Sequence, residues 1–193
     1  MDDFELFLKL GLYHVLDWQA YDHILFLTAL AVVYALNDWK KVLWLITLFT
    51  AGHTLTLALA AYKIITVDIK IVEFLIPVTI FITALFNIIT VKKKQRTHNK
   101  LNLFFAFFFG LIHGLGFSSY FRMIVEENED KLFPLLEFAL GIEIAQVVIV
   151  FFIVIMGLIA QNVLKISKRD WIISISSIVI GIVIPMLIER KFW

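Results

Sequence analysis

Residues 134–161 read PLLEFALGIEIAQVVIVFFIVIMGLIAQ. A helix needs about 20 mostly apolar residues to cross the hydrocarbon core of a bilayer, and this run exceeds that length. Its internal polar side chains, Glu137, Glu143 and Gln146, all fall in its first half. Working outward from it, five more stretches have the same character, at about 20–37, 41–62, 71–91, 101–123 and 171–188. The chain is 61% hydrophobic with a mean hydropathy of +0.92, well beyond the roughly 45–50% apolar of soluble domains. The expected fold is an all-α membrane protein, a six-transmembrane helix bundle forming a single integral-membrane domain over residues 1–193. Residues 3–18 are apolar but too short to span. They carry Glu5, Lys9, His14 and Asp17 and read as an interfacial helix leading into the first span.

Basic residues set the orientation. The linkers after the first, third and fifth spans hold Lys40 and Lys41, then Lys92, Lys93, Lys94, Arg96 and Lys100, then Lys165, Lys168 and Arg169. Glu126, Glu127, Glu129 and Asp130 lie on the opposite side, as does the acidic start Met1-Asp2-Asp3-Phe4-Glu5, which does not read as a cleavable signal. Both termini are therefore expected outside the cytoplasm of, most naturally, a bacterial inner membrane. His98, in a basic linker, reads as a solvated loop residue. The chain has no cysteine, which removes thiolate ligands and leaves imidazole, carboxylate, carbonyl and amide.

The other four histidines belong to short polar motifs in or beside the spans: His14, Asp22-His23, Thr50-Ala51-Gly52-His53-Thr54, and His113-Gly114-Leu115-Gly116. An ionisable group in hydrocarbon costs about 2.5–3.5 kcal/mol even on lenient scales, so each of these is a candidate functional residue. Given the orientation, Asp22, His23, His53, Glu73, His113, Glu137 and Glu143 all fall in the outer half of the bilayer. Glu143 and Gln146 share a helix face, as do Thr50, His53 and Thr56. Gly110 and Gly114 form a small-residue row that allows close helix approach, and Pro77 removes a helical hydrogen bond near Glu73. Asn87, in the inner half, reads as a bond to another helix, and Asp22 could equally cap the first span. No sequence repeat marking an inverted-repeat transporter is read from the chain. Nothing suggests a nucleic acid or nucleotide partner; lipids are the expected surroundings, and the Gly110/Gly114/Ser118 row could serve internal packing or a homo-oligomer.

Taken together, Gly11-Leu-Tyr-His14, Asp22-His23-Ile-Leu-Phe-Leu27, Phe49-Thr-Ala-Gly-His53-Thr-Leu-Thr56-Leu57, Val72-Glu73, His113-Gly-Leu-Gly-Phe117 and Leu140-Gly-Ile-Glu143-Ile-Ala-Gln146 resemble the HupE/UreJ family. These are small polytopic proteins associated with hydrogenase and urease clusters and regarded as nickel or cobalt permeases. The resemblance runs from about residue 11 to 150. It implies that Asp22, His23, His53, His113 and Glu143 are metal-site residues, supported by Glu73, Gln146 and Thr50. In the family the first histidine typically stands five residues before the Asp-His pair, whereas here Val15 to Tyr21 intervene. Two extra residues rotate a helix by about 200° unless a break absorbs them, so His14 is the least secure of the metal-site residues and on the other reading meets headgroups.

Two functions could use such a site. One is a secondary permease admitting nickel or cobalt, in which protons compete with metal for the imidazoles. The alternative is an intramembrane zinc-dependent hydrolase or acyltransferase acting on a lipid or lipid-anchored substrate. Three histidines and an open position would then activate water, with Asp22 or Glu143 moving protons and Ser118 or Ser119 binding an oxyanion. The outward depth of the site favours the enzyme and the resemblance favours the permease, which is the reading preferred here. An accessory protein that only stabilises partners would need no converging histidines.

Overall fold

The computed structural model describes residues 3–18, 21–91, 99–125 and 131–193. His98, most of the basic linker between the third and fourth spans, and the acidic stretch 126–130 lie outside them. Regular structure among the described residues is helical: α1 (Asp3–Leu16), α2 (Asp22–Ala31), a 3-10 turn (Leu36–Asp38), α3 (Trp39–Ala61), α4 (Ile69–Thr90), α5 (Asn99–Ile124), α6 (Leu132–Asn162) and α7 (Lys168–Glu189). Asp68 and Ser167 begin α4 and α7 by accepting hydrogen bonds from the backbone N–H groups of Lys70 and Asp170, the usual device for the unpaired donors of a helix start. Among the described residues, five helices, or helix with its leading turn, are long and apolar enough to cross a membrane: 36–61, 69–90, 102–124, 132–162 and 168–189.

The first expected span, 20–37, contains only the ten-residue α2. What lies along the bundle there is α1 and α2 in succession. Phe7 meets Phe121 of α5, His14 meets Phe117, His23 meets His113, Phe26 meets Phe109, and Tyr34 accepts a hydrogen bond from Asn102. As the chain advances from 7 to 34, its partner on α5 retreats from 121 to 102. α1 and α2 therefore run in one direction, antiparallel to α5, with a break between Leu16 and Asp22. The stretch of α5 they follow is about 28 Å long at 1.5 Å per residue, close to the thickness of a hydrocarbon core.

Two glycine crossings hold the bundle together. A Cβ added at Gly52 of α3 would strike the Phe107 carbonyl oxygen on α5, and one at Gly110 would strike that of Phe49. Gly114 meets the backbone of His53, one turn further along both helices, so α3 and α5 run parallel. Thr56 Oγ1 adds an interhelical bond to the Leu111 carbonyl at 2.8 Å. The second crossing joins α1 to α6, where Gly11 sits on the Phe138 carbonyl oxygen and Gly141 on that of Leu8. Without a hydrophobic drive between helices in lipid, backbone proximity of this kind is what association rests on. The docking of α1 on α6 also buries Val15, so α1 is part of the bundle along its length. Pro77 in α4 has no N–H for the Glu73 carbonyl, and Arg190 Nη1 donates to that oxygen at 3.4 Å.

Candidate metal centre

The break between α1 and α2 is where the histidines gather. His14 lies in the last turn of α1 and His23 in the first turn of α2, with ring centroids 4.7 Å apart. α3 brings His53 to 5.7 Å from His14 and 5.9 Å from His23. α5 brings His113 to 5.4 Å from His23. The close α3–α5 crossing sets two of these positions, because Gly110 and Gly114 let α5 lie on the backbone turn that carries His53.

His14, His23 and His53 each offer a ligand nitrogen such that all three lie within 4.8 Å of one another. Three nitrogens on one ion at bonds near 2.1 Å stand about 3.4 Å apart, so side-chain rotation of about an ångström closes the set. His113 adds a fourth imidazole whose tautomer is fixed by its surroundings. Its Nδ1 donates to the Phe109 carbonyl at 2.8 Å, leaving Nε2 with a lone pair, the orienting role that a backbone carbonyl commonly performs for a ligating histidine.

The hydrogen-bond accounting is more informative than the distances. Nε2 of His14, His23 and His113 and both ring nitrogens of His53 are buried without a hydrogen-bond partner, and His53 itself is 0% exposed. Leaving a buried polar group unpaired costs about 1–3 kcal/mol, so these imidazoles carry a penalty that a cation bound to their lone pairs would reduce. Aromatic rings fill the remaining space: Phe26 and Phe49 lie against His113, while Phe117 and Phe138 lie against His14.

The carboxylates are arranged differently from the imidazoles. Asp22 is held by Arg190, whose Nη1 and Nη2 both donate to it at 3.2 Å. Glu143 accepts from Thr47 Oγ1 at 2.6 Å, and Gln146 accepts from Thr50 at 3.4 Å while its Nε2 is unpartnered. Glu73 is exposed, and its backbone carbonyl, not its carboxylate, takes part through Arg190. Glu137 Oε2 is buried without a partner. Ser118 returns its hydroxyl to the Leu115 carbonyl of its own helix at 2.7 Å, and Ser119 accepts from Arg122 at 3.5 Å. Asn87 bonds the Ala29 carbonyl and Ser176, linking α4 to α2 and α7.

Among the described residues, then, the histidines converge, His14 included, and Asp22 stands beside them in an ion pair. Of the two readings of His14, the position beside His23 and His53 agrees with the metal-set reading and not with the headgroup one. Helical phase accumulates only along a continuous helix, and the chain leaves helical geometry after Leu16, at Asp17 and Trp18. Sequence reasoning missed Arg190, which looked like an ordinary end to the last span. Its signal was present in Asp22, a carboxylate expected in a membrane with no basic partner nearby in the chain.

No curated protein and no solved structure matches the chain. The sequence model describing the HupE / UreJ protein matches residues 1–190. The motifs that converge on the histidine cluster all fall within that match, and the chain belongs to the HupE/UreJ family.

Proposed function

We propose that the protein is a secondary permease that carries a divalent transition metal, nickel or cobalt, from the outer face of the membrane to the cytoplasm through the four-histidine cluster. One observation carries this reading: four neighbouring imidazoles, those of His23, His53 and His113 buried and that of His14 half-buried, each with an unpartnered ring nitrogen. Neutral imidazoles suit nickel, cobalt and zinc, and the absence of thiolates argues against a thiolate copper(I) site. His14, His23, His53 and His113 supply the nitrogens, while Asp22, once released by Arg190, offsets charge. The family supports a metal as cargo.

A carrier also needs a polar way out. Toward the end of the bundle that holds Lys40 and Lys41, a cavity of about 60 Å³ is lined by Thr83, Asn87 and Asn102 among apolar side chains. Phe109 belongs to its wall and also accepts the His113 hydrogen bond, so the cavity begins one helical turn below the site. Protons assist release, because an imidazole ligates only when neutral and protonation on the cytoplasmic side displaces the ion.

Purified protein reconstituted in liposomes with a nickel-sensitive dye inside tests the reading. Saturable nickel or cobalt uptake is expected, and it should be lost in both His53→Ala and His113→Ala. Tightly held zinc with no flux of any divalent ion would contradict it and point to the hydrolytic alternative.

A further inference from the structure

The two glycine crossings obey the same rule. At α3–α5, Gly52 faces residues 107 and 111, and Gly110 faces 49 and 53; at α1–α6, Gly11 faces 138 and 142, and Gly141 faces 8 and 12. In all four cases the glycine meets the carbonyl of one residue and the N–H of the residue four later, and each contacted carbonyl lies three residues before its own helix's glycine. The sequences agree: Gly11-Leu-Tyr-His-Val-Leu16 matches Gly110-Leu-Ile-His-Gly-Leu115, and Phe49-Thr-Ala-Gly52 matches Phe138-Ala-Leu-Gly141. α1 corresponds to α5, and α3 to α6. Two further contacts fit this operation, since α3 packs on α6 and α4 on α7, each pair mapping onto itself, whereas the α2–α4 contact has no α5–α7 counterpart. α1–α2 runs antiparallel to α5, so the two halves, 3–90 and 99–189, are inverted relative to each other. The chain thus holds the inverted repeat that sequence reading did not find.

The same operation relates two aromatic stacks. Phe26 and Phe49 stack with centroids 4.9 Å apart, and both touch His113, at 5.3 and 5.1 Å. Phe117 and Phe138 also stack at 4.9 Å, and both touch His14, at 4.1 and 5.6 Å. His113 and His14 are the repeat-related histidines, as are Phe49 and Phe138. Position along the helices separates the stacks. Phe26 follows His23, while Phe49 and Phe109 precede His53 and His113, which places these three on the Lys40–Lys41 side. Phe117 and Phe121 follow His113, and Phe138 meets both, on the opposite side. Each side of the site is closed by its own cluster of phenylalanines.

Building on the permease reading, we infer that Phe26, Phe49 and Phe109 form an inner lid and Phe117, Phe121 and Phe138 an outer lid over one occluded site, and that the inverted repeat lets the lids open alternately. Inverted halves place the binding site at their interface and permit one half to rock against the other. Each lid holds one of the two repeat-related stacks, to which α5 adds Phe109 on the inner side and Phe121 on the outer. A hydrated divalent ion cannot pass stacked rings, so each lid is a barrier until its helices separate. The lid residues position the gate and do not ligate.

Because the chain lacks cysteine, a single introduced thiol reports access without background. His113→Cys and His14→Cys are each placed in chains with intact lids, with Phe26→Ala, or with Phe117→Ala, in sealed vesicles of both orientations and without metal. A membrane-impermeant cationic methanethiosulfonate is then applied. With Phe26→Ala, the His113→Cys thiol should react about tenfold faster from the cytoplasmic face and unchanged from the outer face, as expected when a local barrier is lowered on one side. With Phe117→Ala, the His14→Cys thiol should show the mirror image. Phe26→Leu and Phe117→Leu, which retain bulk, should stay near the intact rates. Where an alanine variant is not monodisperse, the valine substitution is read instead. Acceleration from the same face in both variants, or none in folded variants, overturns the lids. Nickel flux in the wild-type vesicles is scored separately: face-selective labelling without flux removes the permease reading and keeps the lids, whereas flux without face-selective labelling does the reverse.

Discussion

The bundle contains two buried polar clusters of opposite character. Around Asn87, the side-chain amide bonds the Ala29 carbonyl at 2.7 Å and Ser176 at 3.5 Å, and nearby Asn102 bonds Tyr34 at 2.9 Å. Around His53, four imidazoles converge and their inward nitrogens bond nothing within the protein. The first cluster is what interhelical adhesion looks like, polar groups that satisfy one another across helices. The second leaves ring nitrogens unpartnered, and on the permease reading its partner draws lone pairs from several neutral nitrogens at once. A divalent cation does that; a protein side chain does not.

The comparison can be broken most severely at His53. His53→Ala should lower nickel affinity by about 100-fold or more, since even outer-shell losses cost 10–100-fold. It should leave thermal stability without metal unchanged or raised, because an unpaired buried group is removed. Titration calorimetry and a melting curve on the same sample check both, and a variant that melts early while binding normally would assign His53 to adhesion. Acidification follows in size. A protonated imidazole cannot ligate, so nickel should be released once the medium is acidic enough to charge the buried imidazoles; binding that persists unchanged down to acid unfolding would exclude imidazole ligation.

Arg190 sharpens the contrast from the side. Its guanidinium holds Asp22 in a bidentate pair and spans to the Glu73 carbonyl, placing a fixed positive charge near the histidines. Arg190→Gln should tighten metal binding by about tenfold, through less repulsion and a freed carboxylate, while lowering stability without metal because the partly buried Asp22 is left unpaired. Weaker binding would show that Arg190 builds the site instead of opposing its cargo. The smallest effect on binding is expected at the satisfied cluster. Asn87→Ala should cost about 1–2 kcal/mol of stability and change nickel affinity by less than about twofold, read by the same two measurements.

Much of this was legible in the sequence. The apolar runs announced a helical membrane bundle, and Asp22-His23, His53 and His113 stood out because ionisable groups in hydrocarbon are expensive. Three things were hidden, each for a physical reason. The rotation that would carry His14 away holds only without a break, and nothing local in the sequence placed one after Leu16. Arg190 lies 168 residues from Asp22, and long-range pairing leaves no local signature. The inverted repeat rests on a glycine crossing and a few surrounding residues, because glycine is required only where backbones touch and the rest of each half has diverged around lipid and ligand.

On the permease reading four imidazoles, His14 among them, surround one cation. X-ray absorption on the nickel-loaded protein measures this directly. The expected result is a nickel shell dominated by imidazole nitrogens near 2.0–2.1 Å, with one imidazole fewer in His14→Ala. A shell made of oxygen alone, or one unaltered by His14→Ala, would contradict the claim.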